Sequence, residues 1–312
     1  MEAAVFAIPM RTRFRGIDVR EGMVLHGAAG WGEFSPFVEY PDPVARRWLA
    51  AAREAADDGW PAPVRDQVPV NVTVPAVGPA EAARIVRDSG GCRTAKVKVA
   101  ERGRPLADDI ERVAAVREAI GSTGRVRIDA NGAWSVDEAV MAIGALQGFD
   151  LEYVEQPCRT LEEMALLRFR VDVPLAADES VRNATDPLRV AGLAAADIVV
   201  LKVQPLGGVR AALRVAEACA LPVVVSSALE TSVGIAAGVA LAAALPDLPY
   251  ACGLATVHLL TADLVGDPLL PVDGAIPVRR PQVDRVLLQT WQVPPERTTW
   301  WRARMARAAA IA

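Results

Sequence analysis

A chain of 312 residues, 52% hydrophobic and 23% charged, has room for two domains or for one barrel with an accessory piece. Its 34 Lys and Arg against 38 Asp and Glu leave a net charge of −4, which argues against a polyanion-binding surface and so against nucleic acid. The four cysteines (Cys92, Cys158, Cys219, Cys252) form no C-x-x-C and predict buried thiols of a reduced, cytoplasmic protein.

The N-terminus lacks the basic and long apolar profile of a signal peptide. The alanine-rich segments 234–245 and 305–312 are too short or too interrupted to span a bilayer, so no membrane partner is expected. Residues 1–67 read as an α+β unit. Strands are predicted over Ala3 to Ile8 and Ile17 to Leu25, a turn over Gly27 to Gly32, and a helix over Val44 to Asp57 behind Pro41-Asp42-Pro43. The apolar loop from Phe34 to Pro43 either packs beneath that helix or covers a ligand.

From Val68 strands and helices alternate. Strands are predicted over Val68 to Val74, Thr94 to Val99 and Val126 to Ala130, then at Tyr153, Leu175, Ile198 and Val223, with a last one over Ala251 to Ala255. Helices are predicted over Pro79 to Asp88, Leu106 to Ile120 and from Ser135 to Leu146, where Ser135 and Glu138 form a capping box. Nearly continuous apolar strands imply a parallel sheet buried on both faces, and eight of them favour a closed (β/α)-barrel. Residues 268–312 leave this rhythm: strand-like runs over Ala275 to Val278 and Val286 to Thr290 precede a helix from Pro295. The division predicted is 1–67 plus 268–312 as an α+β cap made from both chain ends, and 68–267 as the barrel.

Five of the apolar runs each deliver charge near their C-terminal ends: Lys96 and Lys98, Asp129 (with Asn131), Glu155, Asp178 and Lys202. The steps from Lys98 onward are 31, 26, 23 and 24 residues, close to the roughly 25–30 that one strand and its return helix need in a barrel. Alternation puts Lys96 and Lys98 on one face and Ala95, Val97 and Val99 on the other. Three acids from consecutive strands then converge between lysine-bearing strands. Buried together they must be paired or metal-bound. One reading is a salt-bridge network; the other is a hard cation, Mg²⁺ ahead of Mn²⁺. Zinc is disfavoured because only His26 and His258 exist. No G-x-S-x-G, P-loop or dinucleotide fingerprint is present. A cation among carboxylates with lysines alongside suits proton abstraction α to a carboxylate, the lysine base having its pKa lowered by neighbouring positive charge. The substrate expected is a small carboxylate. A non-catalytic metal-binding barrel is the reading from another class, but it has no use for two opposed lysines.

Lys96-Val-Lys98, Asp129-Ala-Asn131, Glu155-Gln-Pro157, Asp178-Glu-Ser180 and Lys202 resemble the muconate-lactonising-enzyme subgroup of the enolase superfamily. The resemblance implies a (β/α)7β TIM-like barrel with an α+β capping domain, Asp129, Glu155 and Asp178 as Mg²⁺ ligands, and Lys98 and Lys202 facing each other across substrate. Within that subgroup, residues 8–16, 30–37 and 226–234 look like o-succinylbenzoate synthases of the actinobacterial type. This implies a syn dehydration of a cyclohexadiene carboxylate in menaquinone synthesis, with Lys98 as base and Lys202 as a cation over the ring. Lys96, Asn131, Ser226, Ser227 and Gly253 are the candidate substrate contacts, although the last three also suit tight packing at a barrel corner. Arg13 and Arg15 read first as surface charge and Trp134 as core. An N-acylamino acid racemase and a muconate cycloisomerase remain rivals. A dipeptide epimerase is disfavoured because the last strand reads Cys252-Gly-Leu-Ala-Thr256 without an Asp-x-Asp. Nothing in the chain sets its oligomeric state, and a monomer satisfies every motif.

Overall fold

A computed structural model describes residues 2–182 and 188–311. Three strands, β1 (Glu2–Phe14), β2 (Ile17–Gly27) and β3 (Gly30–Phe34), form an antiparallel sheet in that order. The first two are longer than predicted, and the predicted turn at 27–32 is tighter, because Gly30 takes φ 130 and starts β3 at once. Helix Asp42–Arg53 follows and ends in a π turn, Glu54–Asp58. Gly32 lets that helix approach: a Cβ there would stand 2.1 Å from the Ala52 carbonyl oxygen.

The predicted strand over 68–74 is two strands. β4 (Gln67–Pro69) pairs antiparallel with β12 (Ala275–Pro277), whereas β5 (Val72–Val74) enters a parallel sheet. The run Val68-Pro-Val-Asn-Val-Thr-Val74 keeps one two-residue alternation across the point where the chain changes sheets, and Pro69 alone interrupts it. The parallel sheet continues through β6 (Thr94–Lys98), β7 (Arg125–Asp129), β8 (Leu151–Glu155), β9 (Leu175–Ala177), β10 (Ile198–Leu201) and β11 (Val223–Val225). The predicted eighth strand is reduced to two bridges, Val70 with Cys252 and Ser226 with Gly253. They close the cylinder, Cys252 donating to the Pro69 carbonyl (2.8 Å) and Gly253 to that of Val225 (2.8 Å). The result is the (β/α)7β TIM-like barrel with a capping unit.

Alternation sorts the strand residues. Ala95, Val97, Val126, Ile128, Val154, Val199 and Leu201 face the outer helices in one continuous core, while Tyr153, Ala176, Ile198, Val200 and Val224 fill the cylinder. Helices Leu106–Ile120 and Val136–Leu146 stand where predicted, the second with its Ser135/Glu138 capping box. A separate core joins Phe6, Leu25, Phe34, Phe37 and Trp48 to Trp301 of the last helix, Pro295–Ala310. Burying each such large side chain is worth about 1.5–3 kcal/mol, enough to dock the C-terminus on the cap. Val286–Thr290 lies in a helix, Arg285–Thr290, rather than a strand: Asp284 caps it by accepting from Val286 N (2.7 Å) and Leu287 N (3.2 Å). All four cysteines are buried, and among the described residues no helix is long and apolar enough to cross a membrane.

Candidate active site

Parallel register lines up Lys98, Asp129, Glu155 and Ala176 on β6 to β9. Asp178 follows β9 by one residue, and Lys202 follows β10 at once. All of these ends lie at the C-terminal rim, the face on which barrels of this class carry chemistry. Lys96 and Lys98 point inward as alternation requires. Lys96 Nζ donates to Asp129 Oδ2 (3.1 Å) and Glu155 Oε1 (2.6 Å), and Lys98 Nζ to Asp129 Oδ2 (2.5 Å). Across the rim, Lys202 Nζ donates to Asp178 Oδ2 at 2.6 Å.

Local backbone shape aims these groups. Asn131 takes φ 49, a left-handed conformation that Asn tolerates, and so turns the chain just past β7. Its N–H donates to Asp129 Oδ1 (3.0 Å), and its side-chain oxygen accepts from Lys98 Nζ (2.8 Å). Gln156, which the sequence reading did not single out, sets the Asp178 side: its Oε1 accepts from Asp178 N (3.0 Å) and Ser180 N (3.2 Å). It lies inside the Glu-Gln-Pro motif, which was the available signal. Beneath the carboxylates Arg127 stacks on Tyr153, 4.6 Å from the ring centre.

The remaining candidates divide. Ser226 meets Gly253 at the closing bridge, and a Cβ on Gly253 would lie 2.6 Å from Ser226 Oγ, so this corner is tightly packed. Ser227 Oγ shares a hydrogen bond with Thr256 Oγ1 (2.7 Å). Arg13 stays at the surface with Asp18. Arg15 stacks 3.8 Å from the Phe37 ring centre and donates to Tyr40 Oη (2.7 Å). The 34–43 loop thus takes its packing role, with Phe37 buried against Trp48. Trp134 packs on the barrel core. A cap residue beside Lys98 was missed: Phe14, at the end of β1, places its ring centre 5.6 Å from Lys98 Nζ.

Burial works to lower the Lys96 pKa, but Glu155 and Asp129 more than offset it and raise it well above the ordinary value. Burial likewise opposes ionisation of Asp129, yet Lys98 and Lys96 hold it well below the usual carboxylate range. Glu155 goes the other way: burial, with Asp129 alongside, pushes it up to about 7. Among the described residues, no three His, Cys, Asp or Glu side chains stand grouped around a point for a metal, because ammonium groups lie between the acids. The donor set nevertheless fits a hard cation. It is all oxygen, and Glu155 Oε2 is buried with no hydrogen-bond partner.

Comparison with known proteins gives the family of the chain. An enolase C-terminal domain-like family matches residues 79–282, and an enolase N-terminal domain-like family matches residues 5–56. The o-succinylbenzoate synthase of Thermobifida fusca (strain YX) is 67% identical over 310 residues, covering 99% of this chain and 96% of the relative. That of Mycolicibacterium smegmatis is 54% identical, covering 98% and 95%. Among solved structures, the muconate lactonizing enzyme of Pseudomonas fluorescens complexed with muconolactone aligns at TM-score 0.80 with 22% identity, covering 94% of this chain and 98% of that one. The dipeptide epimerase of Enterococcus faecalis V583, complexed with Mg and L-Leu-L-Tyr, aligns at 0.76 with 23% identity, covering 90% and 97%. Both structures share the fold. The chain belongs to the o-succinylbenzoate synthase family of the enolase superfamily.

Proposed function

We propose that this lyase dehydrates 2-succinyl-6-hydroxy-2,4-cyclohexadiene-1-carboxylate to 2-succinylbenzoate, a step of menaquinone biosynthesis, in the cytoplasm and with Mg²⁺ ahead of Mn²⁺. Asp129, Glu155 and Asp178 would hold the ion. Bound there, a divalent cation supplies fixed positive charge where the substrate carboxylate gains electrons as its α-proton leaves. The single observation that carries the reading is the pairing of two rim amines with two different strand-end carboxylates, Lys98 with Asp129 and Lys202 with Asp178.

Lys98, as the neutral amine, takes the proton from the ring carbon that bears the carboxylate. The electron pair forms the new ring double bond, the C–O bond to the ring hydroxyl breaks, and that oxygen takes the proton back from Lys98 to leave as water. Proton removal and hydroxyl departure on one face make this a syn elimination. Lys202 stays cationic against the ring and stabilises the negative charge that builds up there. Asn131 orients Lys98, while Lys96 keeps Asp129 and Glu155 in place. Ser226, Ser227 and Gly253 form the wall for the succinyl arm, and the cap (1–67 with 268–312) closes the mouth of the barrel (68–267). The test is to supply Mg²⁺ and the cyclohexadiene and follow the ultraviolet change of aromatisation. Absence of that change, with α-proton exchange on an N-succinylamino acid, would assign the chain to racemisation instead.

A further inference from the structure

Residues 226–231, between β11 and the helix Ser232–Ala244, form a stretch of the rim that the cap sheet holds by side-chain hydrogen bonds. Register places Leu201 beside Val225, so Ser226 stands next to Lys202. Beyond it, Leu229 takes φ 65, a conformation unfavourable for any residue but Gly, Asn or Asp. Arg20 of β2, 2% exposed, holds that turn: Nε donates to the Leu229 carbonyl (2.9 Å) and Nη2 to that of Ala228 (3.2 Å). The same guanidinium donates to Ser35 Oγ (2.9 Å) and lies 4.6 Å from the Phe37 ring centre. From β3, Glu33 caps the barrel helix across the interface. Its Oε2 accepts from Thr231 N (3.1 Å), Gly234 N (3.1 Å) and Thr231 Oγ1 (2.5 Å), and its Oε1 from Ser35 Oγ (2.6 Å). Glu230 folds back to accept from Ala228 N (2.7 Å), leaving its other oxygen buried without a partner. A strained turn pinned by a buried arginine and a borrowed helix cap is more than a packing contact needs, because apolar residues of the same shape would seal the interface at less cost.

We propose that Arg20 and Glu33 are positioning residues for substrate binding, which hold the 226–231 turn so that Ser226 and Ser227 stand correctly beside Lys202. This rests on the reaction proposed above. Neither residue touches the reacting atoms, so the proton steps on Lys98 stay intact when they are changed. The cap thereby sets the shape of the barrel's substrate wall as well as covering it.

The test compares Arg20→Met, Arg20→Lys and Glu33→Gln with wild type, measuring kcat, KM, affinity for 2-succinylbenzoate and melting temperature. Arg307→Met, which removes an exposed cap pair with Asp42, serves as the control. The expected result for Arg20→Met is a KM and a product dissociation constant raised at least tenfold, with kcat within threefold. Arg20→Lys restores part of the affinity, since one ammonium reaches one of the two carbonyls, and the control leaves KM unchanged. A lowered melting temperature with unchanged KM makes the bridge merely structural and overturns the proposal, as does a fall in kcat at constant KM. Should Arg20→Met fail to fold, unchanged KM in both Arg20→Lys and Glu33→Gln overturns it. Wild type that neither turns over substrate nor binds 2-succinylbenzoate refutes the reaction itself, and the positioning role falls with it.

Discussion

Replacing Lys96 by Met tests how the carboxylates are neutralised. Lys96 is 5% exposed and its ammonium bridges Asp129 and Glu155 at 3.1 and 2.6 Å. Met keeps the apolar stem but removes the charge, leaving two buried carboxylates with Lys98 alone beside them. Breaking a buried pair by deleting one partner costs about 3–5 kcal/mol. Urea unfolding in the presence of a chelator is therefore expected to show the variant less stable by that amount. With saturating Mg²⁺ the gap narrows, because the ion no longer shares the acids with a competing ammonium. Each tenfold gain in ion affinity returns about 1.4 kcal/mol at saturation. A variant as stable as wild type in chelator, or a gap that Mg²⁺ leaves untouched, would refute the reasoning.

Lys98→Ala and Lys202→Ala, made separately, are expected to keep the circular-dichroism spectrum and Mg²⁺ binding while turnover falls by about 10²–10⁴-fold, the usual contribution of a positioned acid–base group; either variant retaining wild-type kcat contradicts its role. Burial, outweighing Arg20 and added to by Glu230, pushes the Glu33 carboxyl up from 4.5 to about 7. A raised pKa means its contribution to stability is complete below about 4.5 and is lost as pH rises through about 7, a swing of about 3 kcal/mol. Wild type minus Glu33→Gln, from urea midpoints between pH 5 and 8, isolates this swing, since Glu155 titrates in both; a pH-independent difference excludes it. Gly32→Ala, whose Cβ would sit 2.1 Å from the Ala52 carbonyl, should destabilise by about 3 kcal/mol or more. Gly144→Ala, in a helix with open space around it, should instead stabilise by about 0.5–1 kcal/mol, and thermal melts giving both the same sign would contradict this contrast.

The five charged strand ends were legible because two simple regularities coincide there, the two-residue alternation of a strand and the spacing of strand–helix units. Lys96, Lys98, Asp129 and Glu155 needed nothing else to be placed on one face. What escaped depends on contacts remote in the chain. Arg20 meets Leu229 across 209 positions and Glu33 meets Thr231 across 198, and no local pattern announces either pair. Glu33 and Thr231 nevertheless lay within recognisable stretches, 30–37 and 226–234. The run at 286–290 was misread because Val, Leu and Thr suit strands, while the deciding residue, Asp284, lies just ahead of it. At 68–74 a continuous two-residue alternation of valines hid a change of sheet, and at 251–255 two bridges replace the expected ladder because so short a contact suffices to close the cylinder.

The most direct measurement is a crystal structure of the protein grown with Mn²⁺ and 2-succinylbenzoate, with the ion located by its anomalous signal. The account predicts one ion bound by carboxylate oxygens of Asp129, Glu155 and Asp178, with Lys98 and Lys202 on opposite sides of the aromatic ring. An ion held elsewhere, or both amines on the same side of the product, would contradict it.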